Sequence, residues 1–169
     1  MADELSLTPA EGLRVVWDRA AVAALANPDD EPNAGWRLEG SLEPGFTALR
    51  VVSGATADGF LLVLCAARPA GAAHHDEESV AASVTEPEGE LVPISEALVS
   101  TEYTPDGAIR RLGLELYKEG DDYPLRGAGD ATDASRSEMD GERRESARLS
   151  FRLDGSEGAA IYEIVQRPG

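Results

Sequence analysis

The chain has 169 residues with 32 Asp and Glu against 15 Lys and Arg, a formal charge of −17, 42% apolar residues and one cysteine. A length near 170 fits one domain that buries about two-thirds of the surface its unfolded chain exposes, so no disulfide or metal staple is needed. So negative a field repels phosphate backbones and anionic headgroups, which argues against nucleic acid or a membrane surface as partner.

In chain order, the first segment carries two readings. Thr8-Pro9-Ala10-Glu11 has the cap, N1 proline and N3 acid of a helix start, with Leu13, Val16, Trp17 and Ala20 following at helical spacing. Alternatively, Leu13–Trp17 is a short strand and Asp18 caps a shorter helix through Ala26. We favour a helix that ends before Asn27-Pro28, and an acidic linker follows over Asp29–Asn33. The expected division is an N-terminal helical segment and linker over 1–35 and a β-domain over 36–169.

From Trp36 the period changes to two, and the runs Trp36–Leu42, Phe46–Val52, Phe60–Ala67, Val80–Thr85, Glu90–Ile94, Leu98–Tyr103, Ile109–Tyr117, Arg148–Leu153 and Ala159–Gln166 read as antiparallel strands. Glycine-bearing turns separate most of them, such as Pro105-Asp106-Gly107 and Asp154-Gly155. Leu112, Leu114 and Leu116 share one face, as do Ala147, Leu149, Phe151 and Leu153, with polar residues opposite. Phe60–Cys65 is apolar on both sides, so that strand is either covered on both faces or lines an apolar cavity while packing outward. Residues 127–144 are polar and lack either period; part of this stretch is expected to form a weak, solvent-facing strand. The fold class is therefore mainly antiparallel β, about eight or nine strands beside a short N-terminal helix, with a barrel or strongly curved sheet as one reading. A two-sheet sandwich is the alternative, because alternation cannot distinguish closure from stacking.

The phosphate loop, the dinucleotide fingerprint, paired cysteines, HExxH and the glycine-flanked serine are all missing from the sequence. His74-His75-Asp76-Glu77-Glu78 is the one dense patch of potential ligands. It reads as a solvated loop, as a histidine bordering a ligand pocket, or as a metal site. Adjacent residues diverge on an extended backbone, so no metal and no cofactor is expected. Arg68 either anchors a carboxylate or pairs with an acid of the chain. Cys65 reads as a small buried hydrophobe, since nothing beside it lowers a thiol's pKa. Tyr103, Tyr117, Tyr123 and Tyr162 can donate to a ligand or simply pack. The residues expected to border a ligand are Trp36, Arg68, His75, Glu78 and Tyr103. The start, Met1-Ala2-Asp3-Glu4, lacks a secretory pattern, and the longest apolar run is too short to span a bilayer, so a cytoplasmic protein is expected.

One ordered set of motifs resembles a known family. Ala66-Ala67-Arg68-Pro69-Ala70-Gly71, His75-Asp76-Glu77-Glu78, Leu98–Tyr103, Asp106-Gly107, Arg110–Leu116, Leu153–Gly158 and Ile161-Tyr162-Glu163 are similar to a run in actinobacterial proteins of the hydroxyneurosporene-synthase and tocopherol-cyclase-like (AttH-like) superfamily, in their C-terminal lipocalin-like half. The resemblance spans about Trp36 to Arg167 and lies in turns and strand ends. It implies a lipocalin-like barrel. Such proteins usually pair two barrel-like domains, and the enzymes among them hydrate, cyclise or reshape isoprenoid or polyketide substrates; this chain has room for one half.

The expected function is binding of an apolar, isoprenoid or polyketide-like molecule in a barrel cavity, with non-metal cyclase, isomerase or hydratase activity as its catalytic form. The alternative is a non-catalytic accessory or interaction domain with a filled barrel. An apolar cavity above about 300 Å3 favours the first, a packed interior the second. A homodimer is also expected, through the N-terminal stripe of Leu13, Val16 and Trp17, which an isolated helix would have to bury somewhere.

Overall fold

The computed structural model describes residues 3–27, 34–42, 44–72, 78–120 and 122–167. Eleven strands and one helix follow one another: β1 (Glu4–Ala10), β2 (Leu13–Asp18), α1 (Arg19–Ala24), β3 (Trp36–Gly40), β4 (Phe46–Thr56), β5 (Leu61–Pro69), β6 (Ser79–Thr85), β7 (Leu91–Tyr103), β8 (Ile109–Lys118), β9 (Leu125–Met139), β10 (Glu142–Leu153) and β11 (Ser156–Gln166). β4 to β11 close into an eight-stranded antiparallel barrel, and β1-β2-β3 form a separate small sheet. Closure settles the choice between barrel and sandwich. It is made by β11, which pairs with β10 on one side and β4 on the other, Ile164 lying between Glu145 and Arg50. Gly158 sits where β11 passes closest to β4, opposite Thr56, and a Cβ there would run into the Ala55 carbonyl.

The N-terminal segment takes the strand reading and not the favoured helix. Leu13–Asp18 is extended, and the Asp18 carboxylate accepts from the Ala20 N–H to start the one-and-a-half-turn helix α1. A positive φ of 85° at Gly12 turns β1 into β2, so the glycine after the apparent capping box ends a strand. Leu13, Val16 and Trp17 are 1%, 0% and 0% exposed within their own chain. Trp17 donates its indole N–H to Ser53 Oγ on the outer wall of β4 at 2.9 Å. The stripe that was expected to form a dimer contact is thus already covered. β3, read as the first strand of the β-domain, pairs with β2, so the barrel itself begins at Phe46.

That cover explains the doubly apolar strand. Leu61, Val63, Cys65 and Ala67 face outward into a cluster with Trp17, Val22 and Leu25, while Leu62 and Leu64 face inward against Leu112, Leu149 and Tyr162. Leu62, Leu64, Leu112, Leu116 and Leu149 are all at most 1% exposed, so one end of the barrel is filled with side chains. The runs at Glu90–Ile94 and Leu98–Tyr103 form the single strand β7, with a register shift between Ile94 and Glu96. The aperiodic stretch after Gly127 is β9, which is exposed along most of its second half, followed by a turn at Asp140-Gly141. It pairs with β8 only from Leu125 to Asp130, and beyond that it leaves a side window in the wall.

Candidate functional site at the open end of the barrel

At the end where β4, β6, β8 and β10 begin, the interior changes from apolar to polar. Strand alternation dictates which residues turn inward there. Arg50 shares the inward set of β4 with Val52, Glu145 that of β10 with Ala147 and Leu149, and Thr101 that of β7 with Val99. Arg50 and Glu78 form a buried ion pair whose side chains are 9% and 2% exposed. The fork is two-pronged: Nε donates to one Glu78 oxygen at 3.0 Å and Nη2 to the other at 2.6 Å. Nη1 donates to the Tyr162 hydroxyl at 3.1 Å and to Thr101 Oγ1 at 3.3 Å, and those two oxygens lie 2.8 Å apart. Such a bidentate, fully engaged guanidinium holds its neighbours in one arrangement. Burial alone would lower the pKa of Arg50, but Tyr162 and Glu78 outweigh it and hold the guanidinium above its ordinary value.

A second pair completes this floor. Arg136 reaches Glu145 with Nε at 3.0 Å and Nη2 at 2.8 Å, beside the side window, where Asp106, Ile109 and Ser135 help to line a cleft of about 230 Å3. Tyr103 stands half-exposed at the same end. Burial, with Tyr162, Glu145 and Glu78 near by, pushes its phenol above the ordinary value, although Arg50 opposes the shift. The phenol is therefore a neutral donor at physiological pH.

At the rim of the same end, outward of this cluster, lies a mouth of about 720 Å3, lined by Ala48, Arg68, Met139, Arg143, Gln166 and neighbours. Register explains the convergence: Ala48 faces Arg68 across β4 and β5 and Gln166 across β4 and β11, and Gln166 faces Arg143. These four are one step out from Ala66, Arg50, Ile164 and Glu145 on the same inward set. Arg68 donates to the Ala72 carbonyl at 3.2 Å, and no carboxylate pairs with it among the described residues. Arg143 lies 3.8 Å from Glu138, and its buried Nε–H has no acceptor.

Of the residues expected to border a ligand, the structure brings Arg68, Glu78 and Tyr103 to this end. Trp36 lies elsewhere. On the outer wall it donates to Glu163 at 2.7 Å, carries the Arg144 guanidinium 5.4 Å from its ring centre, and lines a separate groove of about 540 Å3. His74 and His75 lie outside the described residues. Among the described residues, no group of three or more His, Cys, Asp or Glu could hold a metal ion. No described helix is long and apolar enough to cross a membrane. Cys65 faces the cover of the small sheet, and burial pushes its thiol up to about 12. Sequence reasoning missed Arg50, Thr101, Glu145, Arg136 and Arg143 as site residues. Arg50 could have been found, since it is a charge at an inward position of the otherwise apolar run Phe46–Val52.

No protein-family model and no curated protein matches this chain. Among solved structures, it is similar to a crystal structure from Nitrosomonas europaea described as AttH, with a TM-score of 0.50 and 16% identity over 76% of this chain. The match takes in 42% of that protein, so the chain spans about two-fifths of its length. At this identity the likeness is one of fold: the chain is an AttH-like, lipocalin-type barrel.

Proposed function

We propose that this chain binds a small organic molecule at the open end of its barrel, with the ligand resting on the Arg50–Glu78–Tyr162–Thr101 floor and held by the rim above it. The observation that carries this reading is the floor itself. A filled β-barrel needs no buried ion pair, and a hydrophobic filling is often as stable or more so. Yet here a buried pair, Arg50–Glu78, and a partly exposed one, Arg136–Glu145, lie one step inward from a rim mouth of about 720 Å3, within the range of about 300–1,000 Å3 usual for ligand pockets.

An isoprenoid or polyketide-like molecule fits this mouth if it carries oxygen, because the floor offers hydroxyls and charge. A wholly apolar ligand would have to strip water from the Tyr103 hydroxyl and from Arg68 and Arg143 at the rim without replacing it. Non-metal isomerase, cyclase or hydratase chemistry would draw on Tyr103, half-exposed at this end, as a proton donor and on Glu145, beside the side window, as a base. The second reading, an accessory domain, is favoured by one observation: the far end of the barrel is packed solid by Leu62, Leu64, Leu112 and Leu149.

Thermal-shift screening against oxygenated terpenoids, aromatic polyketides and fatty acids separates the two. The binding reading expects stabilisation that rises with ligand concentration, by about 2.7 kcal/mol at one hundred times the dissociation constant. It also expects that stabilisation to fall in Tyr162→Phe or Tyr103→Phe. A flat response across all three classes would favour the accessory domain.

A further inference from the structure

We infer that the rim of the mouth is a carboxylate site, in which Arg68 and Arg143 together grip the head of an amphipathic monocarboxylate. This rests on the mouth being where ligands bind, and it names their class.

The argument begins with the charge balance. Acids outnumber bases by about two to one, so an arginine on this chain has many carboxylates within reach. On the outer walls Arg14, Arg37, Arg110, Arg111 and Arg152 each hold a carboxylate at 2.7–3.2 Å, while Arg126 and Arg144 stand 3.9 Å from theirs. Deeper in the barrel Arg50 and Arg136 do the same. At the mouth two arginines lack a close carboxylate among the described residues: Arg68 donates to one backbone carbonyl, and Arg143 is 3.8 Å from Glu138, with a buried Nε–H that has no acceptor among them. Arg167, also at this rim, is paired with Glu142 at 3.1 Å and plays no part in the argument.

The two guanidiniums come from strands on either side of the opening. β5 and β10 are separated by β4 and β11, about 14 Å along the wall at three strand spacings, and the distance across the opening is shorter. Long arginine side chains close such a gap around a small head group. A planar carboxylate matches the guanidinium fork, one oxygen to each arginine or both to one. Glu138, Asp140 and Glu142 on the β9–β10 hairpin surround the same opening, and together with the net charge they disfavour a phosphate dianion relative to a monoanion. Met139, 75% exposed at the tip of that hairpin, and Ala48 and Ala72 supply the apolar surface for the rest of the molecule.

Calorimetric titration of the full chain with octanoate, octanol and octyl phosphate, at low and high salt, tests this. Octanoate should bind about ten- to a hundredfold more tightly than octanol, the effect expected of charge-assisted hydrogen bonds. Its affinity, unlike that of octanol, should fall as salt rises. Arg68→Gln and Arg143→Gln should each remove about tenfold for octanoate and much less for octanol, and Arg143→Lys, which keeps the charge without the fork, should fall between. The salt comparison on the unsubstituted chain stands even if a variant fails to fold. Equal binding of octanoate and octanol would overturn the carboxylate site while leaving the mouth intact as a binding site. Tighter binding of octyl phosphate would likewise overturn it in favour of a phosphate site. Absence of binding by all three would overturn it too, and a flat small-molecule screen beside that result would remove the mouth as well.

Discussion

Replacing Glu78 by leucine strands a charge. Arg50 is 9% exposed along its side chain and loses both short hydrogen bonds of its fork, at 3.0 and 2.6 Å, keeping only the Tyr162 and Thr101 oxygens. Removing one partner of a buried pair costs about 3–5 kcal/mol, mostly the penalty of the uncompensated ion left behind. At about 2–4 °C per kcal/mol for a chain of this size, Tm should fall by roughly 6–20 °C. The double variant Arg50→Met/Glu78→Leu should behave differently, because Tyr162 and Thr101 still satisfy each other at 2.8 Å and neither charge of this pair remains. Its stability should lie within about 1 kcal/mol of the unsubstituted chain, so the two changes should be strongly non-additive. Urea denaturation, read by the midpoint at constant m, measures both, and the loss in the single variant should persist in high salt because a buried pair is little screened. A single-variant cost under about 1 kcal/mol, or a double variant as damaged as the single, would refute the buried, dry floor.

Four further expectations concern the walls. Leu114 and Phe151 fill the barrel at 3% and 2% exposure, so Leu114→Ala should cost about 2–5 kcal/mol and Phe151→Ala about 3–5. Arg111→Ala and Arg152→Ala, which break exposed pairs, should each cost less than about 1 kcal/mol in the same melts. Cys65, held near 12 by burial, should resist alkylation by iodoacetamide at pH 8 and react fully once urea unfolds the chain; fast labelling of the native protein would show that the small sheet does not cover β5. Trp17→Phe removes the indole donor to Ser53 and should cost about 1–3 kcal/mol by equilibrium denaturation, and a neutral result would loosen the proposed seat of β2 on the barrel.

What the sequence revealed followed from how local each signal is. Period-two alternation identified the inward faces of β8 and β10, because each of those strands has one wet side and the pattern is carried by consecutive residues. The two apolar faces of β5 showed that something had to cover its outer side. They did not show what, because the cover is a hairpin distant in sequence whose residues Leu13, Val16 and Trp17 happen to fit helical spacing as well. Closure into a barrel depends on β11 pairing with β4, more than 90 residues away at Gly158 and Thr56, and no local pattern records it. The site is harder still. Arg68, Glu78 and Tyr103 could be singled out as chemically capable residues at strand ends, but Arg50, Thr101, Tyr162 and Glu145 come together only through the barrel's register. Trp36 looked equivalent in sequence and went to the outer wall, because β3 pairs with β2 and leaves the barrel.

The most direct test of a binding mouth uses the chain's two methionines, Met1 and Met139. Met139 sits at the tip of the β9–β10 hairpin on the rim, so 13C-methyl labelling of methionine places a reporter there, with Met1 as the second signal. On titration with a compound that stabilises the protein, the Met139 methyl resonance should shift saturably, with the dissociation constant that calorimetry gives. A stabilising compound that leaves Met139 unmoved and instead perturbs the Trp36 indole on the outer wall would contradict the account.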